Sequence, residues 1–168
     1  MSHYLVTGAA GFIGTRTSEL LLARGDTVIG IDNLNDAYDP RMKEYRLRKL
    51  EQLSGFTFVK ADIAEKSILE TSNIRNTKFD GVIHLAARAG VRFSVENPWV
   101  FVESNVLGTL NMLEVARRSG NCKFILASTS SIYGANPPYP TPETASSSEP
   151  LQPYAASKKG AESLAHSY

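Results

Sequence analysis

The chain has 168 residues, 42% of them hydrophobic and 21% charged, with 18 Lys and Arg against 17 Asp and Glu for a net charge of +1. That length is one domain's worth and excludes a multidomain machine, the composition is that of a globular protein able to bury a core unaided, and the balanced charge gives no electrostatic case for a nucleic-acid or anionic-membrane partner. A single cysteine, Cys122, excludes an internal disulfide and a multi-cysteine metal site, and no apolar run approaches the roughly 18 residues of a membrane span.

In chain order, the first β-rich apolar run is Tyr4–Thr7, and a helix is predicted over Phe12–Arg24. Between them lie Gly8, Gly11 and Gly14, three residues apart, where the common dinucleotide fingerprint spaces its glycines Gly-x-Gly-x-x-Gly. Glycines at a strand-to-helix turn let the backbone fold tightly and approach a pyrophosphate, whose charge the exposed N–H groups stabilise. A tight strand–helix connection without a ligand is the plainer alternative. The second strand, Thr27–Ile31, leads to Asp32, 18 residues past Gly14, where a carboxylate can accept hydrogen bonds from adenosine ribose hydroxyls. A 2′-phosphate would be repelled there and the next residue is neutral Asn33, so the pattern favours NAD over NADP.

The charge-rich run Asp36–Glu51 contains a helix predicted over Arg41–Leu53; its simplest reading is a solvated face without chemistry. Strands follow at Phe56–Lys60, Gly81–Leu85 and Lys123–Ala127, with a weak helix around Glu65–Ile74 and a long one from Asn97 to Ser119 that Gly120 ends. Cys122, among apolar neighbours, reads as a buried strand thiol. After the fifth strand comes the hydroxyl cluster Ser128-Thr129-Ser130-Ser131, either a polar turn or a site at the carboxyl edge of a sheet. Gly134–Pro150 holds five of the eight prolines and reads as a surface loop. A last helix is predicted from Pro153 to Tyr168. Its Tyr154 and Lys158 share one face, about 5–6 Å apart at Cβ. Such a pair is commonly a surface contact, but a lysine and a nicotinamide cation together could bring a phenol down the about 3 pH units it needs to act as a base at neutral pH.

Regular βαβ alternation with short, nearly continuous apolar strands predicts an α/β fold, a doubly wound parallel sheet in three layers of Rossmann-like type with right-handed crossovers. Neither an internal repeat nor a linker breaks it, so residues 1–168 are expected to form one unit. Met1 runs almost at once into the first strand with no signal-peptide pattern, which makes the cytoplasm the expected setting.

Six ordered segments carry a resemblance that spans the chain: Thr7–Gly14, Asp32-Asn33-Leu34, His84–Ala87, Ser104–Thr109, Ser128–Gly134 and Tyr154-Ala155-Ala156-Ser157-Lys158. Together they resemble the extended short-chain dehydrogenase/reductases, in particular the NAD-dependent nucleotide-sugar epimerases and dehydratases. Asp32–Pro40 and Ala89–Pro98 look most like UDP-glucuronate 4-epimerases. The resemblance implies NAD as cofactor, with Gly8, Gly11, Phe12, Ile13 and Gly14 at the pyrophosphate and Asp32 and Asn33 at the adenosine ribose. It puts Asp62 and Ile63 beside adenine, Leu85, Ala86 and Ala87 along the cofactor trough, and Asn105 beneath it. It makes Tyr154 the catalytic base, Lys158 the residue that holds the nicotinamide ribose, and Thr129 the partner of the reacting sugar oxygen. Arg92, Ser130 and Ser131 are candidate substrate residues, Arg92 for a carboxylate or phosphate; a structural arginine is the competing reading. No metal is called for.

The implied reaction inverts C4 of a UDP-sugar, UDP-glucuronate to UDP-galacturonate, through a transient 4-keto sugar. Related dehydratases place an Asp-Glu pair, and decarboxylases a Glu at the second position, where this chain has Ser130-Ser131. A dehydratase, a decarboxylase or a non-catalytic NAD-binding module are the alternatives. Chains of that family run on well past this one into a substrate lobe, so the expectation is a cofactor half that binds NAD without turning over. The resemblance also implies a homodimer through the helices around 97–119 and 153–168.

Overall fold

A computed structural model describes residues 1–168. Five parallel strands, β1 His3–Thr7, β2 Thr27–Asp32, β3 Phe56–Lys60, β4 Gly81–His84 and β5 Lys123–Leu126, form one sheet in the order β3-β2-β1-β4-β5. The doubly wound α/β sheet expected from the alternation is therefore the one found. Its registers are unbroken, with Tyr4 to Thr7 paired to Val28 to Ile31 on one side and to Gly81 to His84 on the other.

Alternation along each strand splits the core. Leu5, Ile31, Val59 and Val82 point to one face, into a cluster completed by Ile63, Ile68, Leu69, Ile74, Phe79, Met112, Val115 and Ala116. Val6 and Val28 point to the other, against Ala9 and Leu21 of the first crossover. That second face carries α1 (Phe12–Ala23), which packs in turn on α2 (Pro40–Leu50). Asp39 caps α2 by accepting from the Arg41 N–H at 3.0 Å, and Pro40 takes the first helical position.

The opposite face departs from expectation in three places. Residues 65–74 do not form one helix: a 3-10 turn, Lys66–Glu70, and a single helical turn, α3 (Ser72–Arg75), meet at an extended Thr71. Burial of Ile68, Leu69 and Ile74 on the sheet outweighs helical continuity in a stretch rich in weak helix formers. A short helix, α4 (Val91–Glu96), opens at Gly90 (φ +123°); its alternating Val91, Phe93 and Val95 hide the helical period from sequence reading. The long helix exists as one rod with three parts: α5 (Trp99–Phe101), a π-helical stretch Val102–Leu107, and α6 (Gly108–Arg118). The chain ends in α7 (Pro153–Ser167), packed along that rod, and Cys122 sits half-buried just before β5 instead of within it. No helix is long and apolar enough to cross a membrane.

β1 and β4 are neighbours in space but far apart in sequence, so the loops leaving their carboxyl ends turn to opposite faces. The crevice between them is where a doubly wound sheet presents a ligand site.

Candidate functional site

The turn after β1 is built by backbone contacts that no side chain could share. Gly8 has φ +68°, and its carbonyl accepts from the Gly11 N–H at 2.9 Å. A Cβ on Gly14 would lie 2.1 Å from that same carbonyl oxygen, and one on Gly8 would lie 3.0 Å from the Ala86 nitrogen. The Thr15 hydroxyl sits between the carbonyls of Ala9 and Gly11, at 3.0 and 2.8 Å, and pins the turn from inside. Phe12 and Ile13 begin α1 with exposed side chains, and the N–H groups of its first turn lack intrahelical acceptors, which makes this end receptive to an anion.

At the end of β2, Asp32 is buried. It accepts from the backbone N–H of Leu34 at 2.9 Å and of Ala10 at 3.2 Å, so it braces the glycine turn as well as facing the crevice. Asp62 accepts from the Asn33 amide at 2.9 Å and from the Ala64 N–H at 2.9 Å. A groove of about 150 Å³ runs along this edge. Gly8, Gly11, Asp32, Asn33, Asp62, Ile63, Leu85, Ala86 and Ala87, nine of the residues picked from the sequence for a cofactor, all line it. Gly108 lets the long rod come close behind: a Cβ there would meet Ile63 Cδ1 at 2.6 Å.

The reading of Asp36–Glu51 as a solvated face without chemistry is wrong at Lys43. Its side chain is 7% exposed, its ammonium lies 3.3 Å from Asp32 Oδ1 and donates to Asn35 Oδ1 at 2.9 Å, and it lines the groove with Tyr38 and Arg88. The signal was present: Lys43, Leu47 and Leu50 are the buried positions of α2, spaced i, i+4, i+7, so the lysine sits on the core-facing stripe.

Behind the crevice a chain of polar groups fixes the second loop. Asn105, inside the π-helical stretch and buried, accepts from the Arg88 N–H at 2.8 Å and donates to the Arg88 carbonyl at 3.0 Å and to Ser157 Oγ at 2.9 Å. Ser157 donates to the Tyr154 carbonyl at 2.7 Å. Asn105 thus clamps the loop after β4 to α7, with its amide used by protein groups. π-Helical insertions of this kind often mark functional sites.

His84 closes the network. The Thr7 hydroxyl accepts from the N–H groups of Leu85 and Ala86, at 3.1 and 3.0 Å, so its own proton goes to His84 Nδ1 at 2.7 Å. The Thr109 hydroxyl donates to the Asn105 carbonyl at 2.6 Å and accepts from His84 Nε2 at 3.1 Å. The imidazole is therefore neutral with its proton on Nε2. Burial, reinforced by the nearby Lys158 charge, pushes its pKa down to about 3. The folded protein then binds fewer protons at this site than the unfolded chain, so stability falls as pH drops from 6.5 toward 3. We expect a loss near 1.4 kcal/mol per pH unit from this group within that window. The carboxylates whose pKa the fold lowers, Asp26, Asp39 and Glu114, add their own loss from their ordinary values of 3.8 and 4.5 downward, at the acid end of this window and below the pH range of the test. Urea titrations at pH 7, 6 and 5 should show this slope in the wild type and a shallower one in His84→Gln; equal slopes would remove His84 from the account.

At the carboxyl end of β5, Thr129 caps a 3-10 turn, Ser130–Tyr133, accepting from the Ser131 N–H at 3.2 Å and lying 3.3 Å from Ser131 Oγ. Ser128 donates to Glu162 Oε1 at 2.5 Å, which ties this turn to α7. Tyr154 stands in the first turn of α7, half-buried, its ring edge-on to Phe101 with centroids 6.0 Å apart. One turn on, Lys158 is 3% exposed, and burial pushes its pKa down to about 8. The Glu162 charge, on the same helix, works the other way and favours the ammonium. Tyr154, Lys158 and Thr129 lie outside the groove lining, on the side where α7 packs against the Ser130–Tyr133 turn. Arg92 is exposed on α4, Ser130 is exposed, and Ser131 is half-buried.

A family model described as GDP-mannose 4,6 dehydratase matches residues 5–168. The UDP-glucuronate 4-epimerase of Thermodesulfobacterium geofontis is 54% identical, covering 100% of this chain and 51% of that protein. Among solved structures, UDP-glucuronic acid 4-epimerase from Bacillus cereus, in complex with UDP-glucuronic acid and NAD, superposes with a TM-score of 0.83 at 34% identity, over 99% of this chain and 52% of that one. DesIV, a dTDP-glucose 4,6-dehydratase from Streptomyces venezuelae with NAD and TYD bound, gives 0.85 at 32% identity, over 99% and 51%. The chain spans about half the length of the relatives it matches.

Proposed function

Because the chain belongs, by the family model and the relatives together, to the NAD-dependent nucleotide-sugar epimerases and dehydratases, we propose that residues 1–168 form the NAD-binding unit of a cytoplasmic epimerase that inverts C4 of a UDP-sugar, with UDP-glucuronate and UDP-galacturonate as its pair. The observation that carries the reading is Lys158: an ammonium 3% exposed, one helical turn from Tyr154, and beside a groove that gathers nine expected cofactor residues. A module that only bound NAD could use the lysine at the ribose but would have no use for Tyr154, Lys158 and Thr129 together.

The residues fit the cofactor. Gly8, Gly11 and the N–H groups at Phe12, Ile13 and Gly14 would hold the pyrophosphate, Asp32 and Asn33 the adenosine ribose, Asp62 and Ile63 the adenine, and Leu85, Ala86 and Ala87 the floor of the trough. Asn105 would act through its clamp on the loop after β4. NAD, when bound, supplies the reversible two-electron acceptor that inversion of a carbinol carbon needs. Tyr154 takes the proton of the sugar 4-hydroxyl and returns it after the transient 4-keto sugar has turned. Lys158 stabilises negative charge on the phenolic oxygen and holds the nicotinamide ribose, in a site dry enough to strengthen both contacts. Thr129 orients the reacting oxygen, with Ser130 and Ser131 beside it and Arg92 reaching for the sugar carboxylate. Ser130-Ser131 also favours inversion over water loss, since elimination needs an acid and a base where these hydroxyls stand.

A homodimer through residues 97–119 and 153–168 belongs to the same proposal, supported by Trp99 and Val102, which remain 74% and 45% exposed. Calorimetric titration with NAD and NADP tests the cofactor reading, sedimentation velocity of the same samples tests the dimer, and turnover of UDP-glucuronate by a chain extended to the relatives' length tests the reaction. Saturable binding that prefers NAD, and product inverted at C4, are expected; a folded chain that ignores both dinucleotides contradicts the proposal.

A further inference from the structure

Asp32 meets the adenosine-ribose edge of the groove together with a counter-charge. Lys43 reaches across from α2, its ammonium 3.3 Å from Asp32 Oδ1 and 2.9 Å from Asn35 Oδ1, with the Tyr38 ring centroid 5.3 Å away. Both side chains of the pair are almost fully buried, at 7% and 6% exposure, and both line the groove. The other charged groups nearby are Asp62, engaged by Asn33 and Ala64, Arg88 from the loop after β4, and Arg46, which donates to the Tyr38 hydroxyl at 3.1 Å. A 2′-substituent on the ribose would therefore meet a neutral ion pair instead of a bare carboxylate.

We propose that Lys43 is a specificity-determining residue for the dinucleotide: its ammonium is one half of a 2′-phosphate site that the Asp32 carboxylate masks. The inference rests on the proposed NAD reading and deepens it. Removing the lysine charge leaves the carboxylate uncompensated and raises discrimination against a 2′-phosphate. Neutralising the carboxylate leaves the ammonium free to receive that phosphate and lowers discrimination. A unit charge within about 6 Å, at an effective dielectric constant of roughly 20, is worth more than a factor of ten in affinity for a charged group.

The readout is the ratio of the dissociation constants for NADP and NAD, by calorimetry on the wild type, Lys43→Met, Asp32→Asn and the double variant. We expect the ratio to rise by about tenfold or more in Lys43→Met, to fall by about tenfold or more in Asp32→Asn, and to return close to the wild-type value in the double variant. A lysine that merely supported the fold would change both affinities by one factor and leave the ratio alone; that result overturns the proposal while NAD binding stands. Should Lys43→Met fail to melt cooperatively, the comparison of Asp32→Asn with the double variant decides, because neither contains an unpaired buried carboxylate; equal ratios there overturn it. Absence of NAD binding by a wild-type chain that melts cooperatively removes the cofactor reading and this inference with it.

Discussion

Gly14→Ala should cost the fold at least about 3 kcal/mol and abolish measurable NAD binding. The new Cβ would stand 2.1 Å from the Gly8 carbonyl oxygen, 2.8 Å from its carbon and 3.0 Å from Ala9 Cα. All three are backbone atoms with no rotamer to escape into. Relief requires opening the turn, which breaks the Gly11-to-Gly8 bond at 2.9 Å, displaces Thr15 from the two carbonyls it sits between, and lifts the first turn of α1 away from the pyrophosphate position. Gly160→Ala is the matched control. Gly160 lies inside α7 and its Cβ would meet only Val106 Cγ2 of the π-helical stretch at 3.6 Å, an ordinary contact, so helix propensity should dominate and raise stability by about 0.5–1 kcal/mol. Urea midpoints of the two variants, with NAD titrations alongside, measure both effects. A Gly14→Ala chain within about 1 kcal/mol of wild type and still binding NAD would show that the close approach is not what the glycine is for.

The same contrast explains what the sequence made legible. Gly8, Gly11 and Gly14 could be read because a turn that tight admits nothing else, and Asp32 because its distance from them is set by the length of one helix and one strand. The five strands could be read because each is a short apolar run in an all-parallel sheet, apolar on both faces even at β5, where Ile125 is left 58% exposed, and such runs leave no competing period. Lys43 was hidden by its neighbours: charge along Asp36–Glu51 describes the outer face of α2 and masks a lysine on the inner stripe with Leu47 and Leu50. The π-helical stretch has no compositional mark, since the register slip is set by what Asn105 must reach, the Arg88 backbone and Ser157, 17 and 52 residues away in sequence. His84 could be placed on a strand, but its tautomer follows only from the hydrogen bonds of Thr7 and Thr109 on two other elements.

Tyr154→Phe should leave NAD affinity within about threefold of wild type while lowering C4 inversion of the UDP-sugar by a factor of roughly 10² to 10⁴, the usual worth of a positioned acid–base group. The variant isolates the chemistry because its structural cost is small. The ring stays, so the edge-on contact with Phe101 at 6.0 Å is kept, and the bond that secures this turn of α7 runs from Ser157 to the backbone carbonyl of Tyr154, which the substitution does not touch. What is deleted is one oxygen, the only atom of the side chain that can hold a proton. Stability within about 0.5 kcal/mol of wild type by urea titration establishes that the fold survived. With that in hand, the comparison must be made in a chain extended to the relatives' length, with single-turnover product formation and NAD titration on the same preparation. Retained binding with lost turnover assigns the proton transfer to Tyr154. Equal loss of both would make Tyr154 a cofactor contact alone, and the buried ammonium of Lys158 would then need another anion to answer to.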